Sequence, residues 1–148
     1  MTQTIQILRG GSLLHQLVRD MTTELDRRFS ALGLTSQQAA LLLTASGGTS
    51  SSGQIAEAVG TDTAGMTKLL DRLERKGLAQ RRPNPADRRS VLVEPTERGL
   101  AVVPKLMPVF GEMVSQLFEG FSDTEVAEFE SLLGRMRENL RAEPQGTR

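Results

Sequence analysis

The chain has 148 residues, with 18 Lys and Arg balanced by 18 Asp and Glu, one His and no Cys; this length suits one domain, and the missing thiols exclude disulfides, thiol redox sensing and thiolate zinc sites. Any metal site would have to be built mainly from carboxylates, and the aromatic content of 3%, all of it Phe, calls for an aliphatic core. No run approaches the roughly 18 apolar residues of a membrane span, and the N-terminus lacks the charged-then-apolar layout of a signal peptide, so a cytoplasmic protein with no membrane partner is expected.

Residues 1–11 end in Gly10-Gly11 and read as a loose arm or an interrupted first turn. Ser12 is the expected cap of a first helix running to about Ser30, with Leu14, Leu17, Val18, Met21, Leu25 and Phe29 as its apolar stripe. His15 flanks that stripe, either as a packed or surface residue or as a polar contact in a ligand pocket. Gly33 breaks the helix, and Thr35 with Gln38 forms a capping box for a second one. Ala39 to Leu43 is nearly all apolar, so this helix should be buried, and Ser46 to Ser50 reads as a loop.

The stretch 51–99 carries the most information. Ser51 and Gln54 have the spacing of another capping box, and the short helix from Gln54 to Val59 has Ile55, Ala56 and Val59 on one face. Gly60 suits the left-handed residue that ends a helix, and Thr61 or Asp62 can cap the next, from about Asp62 to Lys76. In that helix Met66, Leu69, Leu70 and Leu73 recur at helical spacing and should face the core. Thr63, Ala64, Thr67, Lys68, Asp71 and Arg72 are left outside, and the small polar N-terminal half can enter a DNA major groove and meet base edges. After Gly77 the period changes: residues 78–82 and 90–94 are strand candidates joined by the turn-rich segment Pro83 to Arg89. Between Arg72 and Arg89 seven basic residues (72, 75, 76, 81, 82, 88 and 89) face two acids (74 and 87), in a chain with no net charge.

Thr96 opens a long helix through about Glu119, with Leu100, Val103, Met107, Phe110, Val114, Leu117 and Phe118 on its apolar face. Pro104 and Pro108 lie in its first half, and a continuous but kinked helix is expected, the alternative being a helix that starts near Pro104. Ser122 and Glu125 form a third capping box, for a last helix reaching about Arg141 with Val126, Phe129, Leu132, Leu133, Met136 and Leu140 on its apolar side. Residues 143–148 read as a frayed tail. Residues 112–143 hold eight acids against three arginines, so a basic centre is followed by an acidic C-terminal region, a polarity that would turn one face toward DNA.

Gln54-Ile55-Ala56, the Thr-rich helix, the DRLERKGL run from Asp71 to Leu78, Arg81-Arg82, the ADRRS run from Ala86 to Ser90 and the T-x-x-G of Thr96 and Gly99 together resemble the MarR family of bacterial regulators. The likeness is tight over the central 50 or so residues and rests on length and pattern in the flanking helices. Pro95 departs from the aliphatic residue the family pattern has before Thr96, at the end of the second wing strand. The resemblance implies a mainly α fold with a small β-hairpin wing (α+β), a winged helix-turn-helix flanked by N- and C-terminal dimerisation helices. On that scheme residues 1–148 form a single domain, with a DNA-binding region at 34–95 and dimerisation helices at 12–32 and 96–141. The implied function is that of a homodimeric, sequence-specific transcription regulator, a repressor on a pseudo-palindromic operator in double-stranded DNA. A small aromatic or phenolic effector would bind between the dimer region and the winged region and release the DNA.

On this reading the DNA-binding set is Ser51, Gln54, Thr63, Ala64, Thr67, Lys68, Arg72, Arg81, Asp87, Arg88 and Arg89. Ser51 and Gln54 sit at a helix start where a phosphate can dock, although capping explains them equally well. Arg72, Arg75 and Lys76 are either DNA contacts or a solvated helix face. Arg81 and Arg82 alternate along a strand, one toward phosphate and the other inward. Asp87 should fix the wing tip by accepting from the turn backbone or from an arginine, and the family's spacing assigns Arg89 to the minor groove and Arg88 to phosphate. The competing readings are a winged-helix protein–protein interaction module without specific DNA binding, which the basic wing disfavours, and an enzyme. For an enzyme there is no phosphate loop, no Cys or His nucleophile system and no clustered carboxylates, so no catalytic residue, metal or cofactor is expected.

Overall fold

The computed structural model describes residues 2–48 and 50–142, with side chains from Gln6 onward. Six helices and three short strands follow in the order α1 (Thr2–Phe29), α2 (Ser36–Ser46), β1 (Ser50–Ser51), α3 (Ser52–Val59), α4 (Thr63–Arg75), β2 (Ala79–Pro83), β3 (Val91–Pro95), α5 (Glu97–Leu117) and α6 (Asp123–Arg141). The chain divides into two compact units with the boundary inside α5, between Met113 and Val114. Among the described residues no helix is long and apolar enough to cross a membrane.

Helix α1 corrects the expected arm. It begins at Thr2 and runs through Gly10-Gly11, and Ser12 lies inside it, its Oγ accepting from Gln16 Nε2 at 3.1 Å rather than capping a first turn. Two glycines cost a helix about 1 kcal/mol each relative to alanine; with helix formers on both sides that weakens the segment without ending it. A single 3₁₀ turn, Ser30–Leu32, follows α1, and Gly33 then reverses the chain at φ 67°, a conformation open to glycine at little cost. The expected tail at 143–148 lies outside the described residues.

The helix starts follow the sequence closely. Thr35–Gln38, Ser51–Gln54 and Ser122–Glu125 all form reciprocal capping boxes, and Asp62, not Thr61, caps α4 by accepting the Gly65 N–H at 2.6 Å. Helix α4 ends in a Schellman arrangement, with Leu78 N–H on Leu73 O at 2.9 Å and Gly77 N–H on Glu74 O at 2.8 Å, Gly77 taking φ 68°.

The sheet is antiparallel in the order β1-β3-β2. Strands β2 and β3 each begin one residue later than the pattern suggests, for a local reason. The Leu78 N–H is spent closing α4, and the Ser90 N–H is spent on Asp87 O at 3.1 Å in the turn. Pro95 is the last residue of β3, opposite Ala79, where a missing donor is tolerated. Strand β1 is an addition: Ser50 and Ser51 pair with Val93 and Leu92, in a segment expected to be loop or helix start.

The core of the first unit packs Phe29, Leu41, Leu42, Ile55, Leu70, Leu73, Val93 and Leu106, all fully buried. Each such side chain contributes about 1.5–3 kcal/mol by leaving water. Phe29 meets Phe110 with ring centroids 4.9 Å apart. Helix α5 continues through Pro104 and Pro108 without interruption. Its entry is pinned by Thr96, whose hydroxyl donates to Gly77 O at 2.6 Å and accepts the Gly99 N–H at 3.1 Å. A Cβ on Gly99 would fall 2.0 Å from Leu78 O, so the T-x-x-G pattern records a backbone contact that only glycine permits. In the second unit Phe118 packs edge-on against Phe121 and Phe129, at 5.8 and 5.7 Å.

Candidate nucleic-acid interface

Helix α4 carries the candidate reading surface. Met66, Leu69, Leu70 and Leu73 are buried, while Thr63, Ala64, Thr67, Lys68, Asp71 and Arg72 are exposed, as the period requires. Thr67 Oγ1 donates back to Thr63 O at 3.0 Å, so its hydroxyl proton is committed within the helix while the side chain stays exposed. The first turn is crowded: a Cβ on Gly65 would meet Thr61 Oγ1 at 2.1 Å. A side chain there would displace the Thr61 hydroxyl and press on the Asp62 cap.

Ser51 and Gln54 stand at the start of α3. Ser51 Oγ accepts the Gln54 N–H at 3.2 Å, and Gln54 Oε1 accepts the Ser51 N–H at 2.9 Å. The box consumes acceptors only. The serine hydroxyl proton and the Gln54 amide hydrogens stay available as donors, so capping and phosphate docking are compatible at this site.

The wing is the loop between β2 and β3, and two local turns hold it. Asn84 Oδ1 accepts the Ala86 N–H at 3.0 Å while its Nδ2 donates to Ser90 Oγ at 2.7 Å. Asp87 Oδ1 accepts the Arg89 N–H at 2.9 Å, and the Asp87 N–H reaches Asn84 O at 3.3 Å. Of the two acceptor roles considered for Asp87, the turn backbone takes it. The side chains of Arg88 and Arg89 make no hydrogen bond or ion pair among the described residues, so neither serves an internal contact and both are available outward.

Arg81 is different. Its guanidinium pairs with Asp71 Oδ1 at 2.6 Å and with Glu74 Oε2, and NH2 also reaches Thr67 O at 3.3 Å, while its backbone N–H donates to Glu74 Oε1 at 3.0 Å. Expected as a strand arginine facing phosphate or the interior, it is instead the tie that fixes β2 against α4. Arg82 pairs across the sheet with Glu94 at 2.6 Å. Sequence reasoning overlooked Asp71, Glu74 and Asn84 as organisers of the interface. The Asn84-Pro85 step, a turn initiator, was the available signal for the last. Nothing in the spacing of Glu74 and Arg81 announces their contact.

All of these residues except Glu94 sit inside the stretch 34–91, which matches the family model of the MarR family. The chain is 33% identical over 87 residues to the transcriptional regulator PecS of Dickeya dadantii, an alignment covering 59% of this chain and 52% of PecS, so it spans about half that relative's length. It is 29% identical over 133 residues to the multiple antibiotic resistance protein MarR of Escherichia coli, covering 88% and 92% of the two chains. The solved reduced form of that protein superposes with a TM-score of 0.67 at 30% identity, covering 85% of this chain and 94% of the other. The chain belongs to the MarR family. A mutant Escherichia coli MarR solved in complex with operator DNA superposes with a TM-score of 0.77 at 28% identity, covering 88% and 95%. The mainly helical architecture with a small three-stranded sheet is thus the winged-helix fold of the MarR structures. Among the described residues no group of three or more His, Cys, Asp or Glu side chains could hold a metal ion.

Proposed function

We propose that this MarR-family chain is a homodimeric repressor that binds a pseudo-palindromic operator in double-stranded DNA. The carrying observation is the pairing of a small, exposed polar surface on α4 with a wing whose Arg88 and Arg89 are unengaged. On this reading Thr63, Ala64, Thr67 and Lys68 meet base edges in the major groove, Arg89 enters the minor groove, and Arg72 and Arg88 meet phosphate, with Ser51 and Gln54 at the start of α3. Arg81 and Asp87 act through shape, by holding the wing. The operator complex of the Escherichia coli relative supports the DNA partner.

Dimerisation is supported by the exposed apolar residues Ile7, Leu8, Leu13, Leu14 and Val18 on α1, and Leu132, Met136 and Leu140 on α6. An isolated soluble chain rarely leaves so many large apolar side chains in water. A small aromatic or phenolic effector would release DNA if it favours a spacing of the two winged modules that the operator does not fit, since linkage is reciprocal.

The test is a titration of tiled duplexes from upstream of the protein's own gene, each against an unrelated duplex. One fragment should bind on the order of 10³-fold or more tightly than the unrelated duplex. Equal binding of all fragments would contradict sequence-specific regulation. Phenolic carboxylates added to the tight complex should lower its apparent affinity; an unchanged affinity across a broad panel would point to control by protein concentration alone.

A further inference from the structure

The C-terminal half of α4 faces the junction between the 3₁₀ turn and α2 across an open cleft of about 610 Å³. Its lining is Ser30, Gly33, Leu34, Thr35, Gln38, Arg72, Arg75 and Lys76: three cations, two hydroxyls, an amide and no carboxylate. The cleft is open to solvent, so a ligand would be held by its charged groups rather than by enclosure.

The cleft is built around a buried polar side chain. Gln38 is 2% exposed, and its Oε1 accepts from Lys76 Nζ at 2.9 Å. Lys76 Nζ also donates to Gly33 O, so two of its three N–H groups are committed and the ammonium is held at the cleft wall with one left. Arg75 donates only through Nε, to Asp71 O at 3.3 Å, which leaves its terminal nitrogens unused. The Arg72 guanidinium has no partner among the described residues. Neighbouring acids do not neutralise the group. Glu74 is taken by Arg81, as is the Asp71 carboxylate, and Asp26 accepts the Ser36 N–H at 2.6 Å. At the start of α2 the Gln38 N–H is taken by Thr35, so the attraction comes from side-chain cations and not from free helix amides.

We propose that this cleft binds a small phosphate-bearing organic anion, at a site that borders the groove-facing surface of α4 and shares Arg72 with it, while Arg75, Lys76 and Gln38 belong to the cleft alone. A phosphate monoester dianion answers three cations lining one cleft better than a monocarboxylate, because it brings three terminal oxygens and close to two negative charges where a carboxylate brings two oxygens and one charge. The body of the ligand would lie on the alkyl stems of the arginines.

The test uses the full-length protein and phenyl phosphate, with inorganic phosphate in parallel, followed by calorimetry and by amide shifts in NMR spectra. Saturable binding of phenyl phosphate should perturb the Gly33, Thr35 and Gln38 amides together. Arg75→Gln, an exposed site with a single weak backbone bond, should weaken it at least about tenfold at unchanged melting temperature. Lys76→Gln should do the same and also lower the melting temperature, since it loses the bond to Gly33. Arg88→Gln, on the wing, should leave phenyl phosphate affinity as it was. Equal weakening by Arg88→Gln, or shifts scattered over every basic surface, would overturn the site by reducing it to general charge attraction. So would an absence of phenyl phosphate binding combined with weaker duplex binding by Arg75→Gln, which would make the cleft a contact for the DNA backbone.

Discussion

On the proposed reading, Arg89 and Asp87 divide the work of the wing between charge and shape. The Arg89 backbone N–H is held by Asp87 Oδ1 at 2.9 Å, while its guanidinium is unengaged. Arg89→Ala should therefore cost about 1–3 kcal/mol of operator affinity and flatten the salt dependence by about one counterion, with the melting temperature unchanged. Asp87→Ala should weaken binding without that loss of salt slope, because it removes an acceptor from the turn and leaves both arginines. Affinity measured against salt for the two variants, with melting curves alongside, separates the roles; wild-type strength and slope in Arg89→Ala would remove Arg89 from the DNA interface. On the proposed reading Thr67 meets a base edge. Its hydroxyl is bonded within the helix, so Thr67→Ala should barely change folding and should narrow the ratio between operator and mutated operator. A parallel loss on both duplexes would make Thr67 a backbone contact.

Between elements, the decisive contact is the tie from β2 to α4 through Arg81, Asp71 and Glu74. It ties the first strand of the wing to α4, and on the proposed reading it sets the angle at which the wing leaves that helix. Arg81→Ala should cost about 1 kcal/mol of stability, as expected of a partly exposed ion pair, and lower operator affinity through a looser wing. Arg81→Lys should restore less affinity than charge alone would suggest, since one ammonium cannot span two carboxylates and a carbonyl as the planar guanidinium does. Full affinity in Arg81→Ala would show that wing angle is not set there. Local physics made the helices legible in the sequence: three capping boxes, the Asp62 cap, Gly60, Gly77 and the buried row Met66, Leu69, Leu70 and Leu73 are all contacts within a few residues. What escaped was non-local or cooperative. Strand β1 is two serines held only by pairing with β3, and Gly10-Gly11 is carried by a helix long enough to absorb it. The Arg81 tie joins residues seven and ten apart across a chain reversal, which neither a helical nor a strand period reveals.

For the molecule as a whole, the apolar residues left exposed on α1, α5 and α6 set the expected state of assembly. Leu13, Val18, Leu100, Met107, Val114, Met136 and Leu140 are all large and all in water in the single chain. Sedimentation at micromolar concentration should give twice the chain mass of 16.1 kDa; a monomer that binds DNA with full affinity would remove the proposed two-fold arrangement. That arrangement also dictates geometry on DNA. Two recognition helices related by a two-fold axis reach the same face of the duplex when their half-sites lie about 34–36 Å apart, one helical turn. The most direct measurement is a footprint of the wild-type protein on the DNA upstream of its own gene. One protected segment is expected, with two inverted half-sites about 10 base pairs apart centre to centre, and Arg89→Ala should lose the minor-groove protection flanking them. Diffuse protection with no symmetric half-sites, or none at all, would contradict the proposed function.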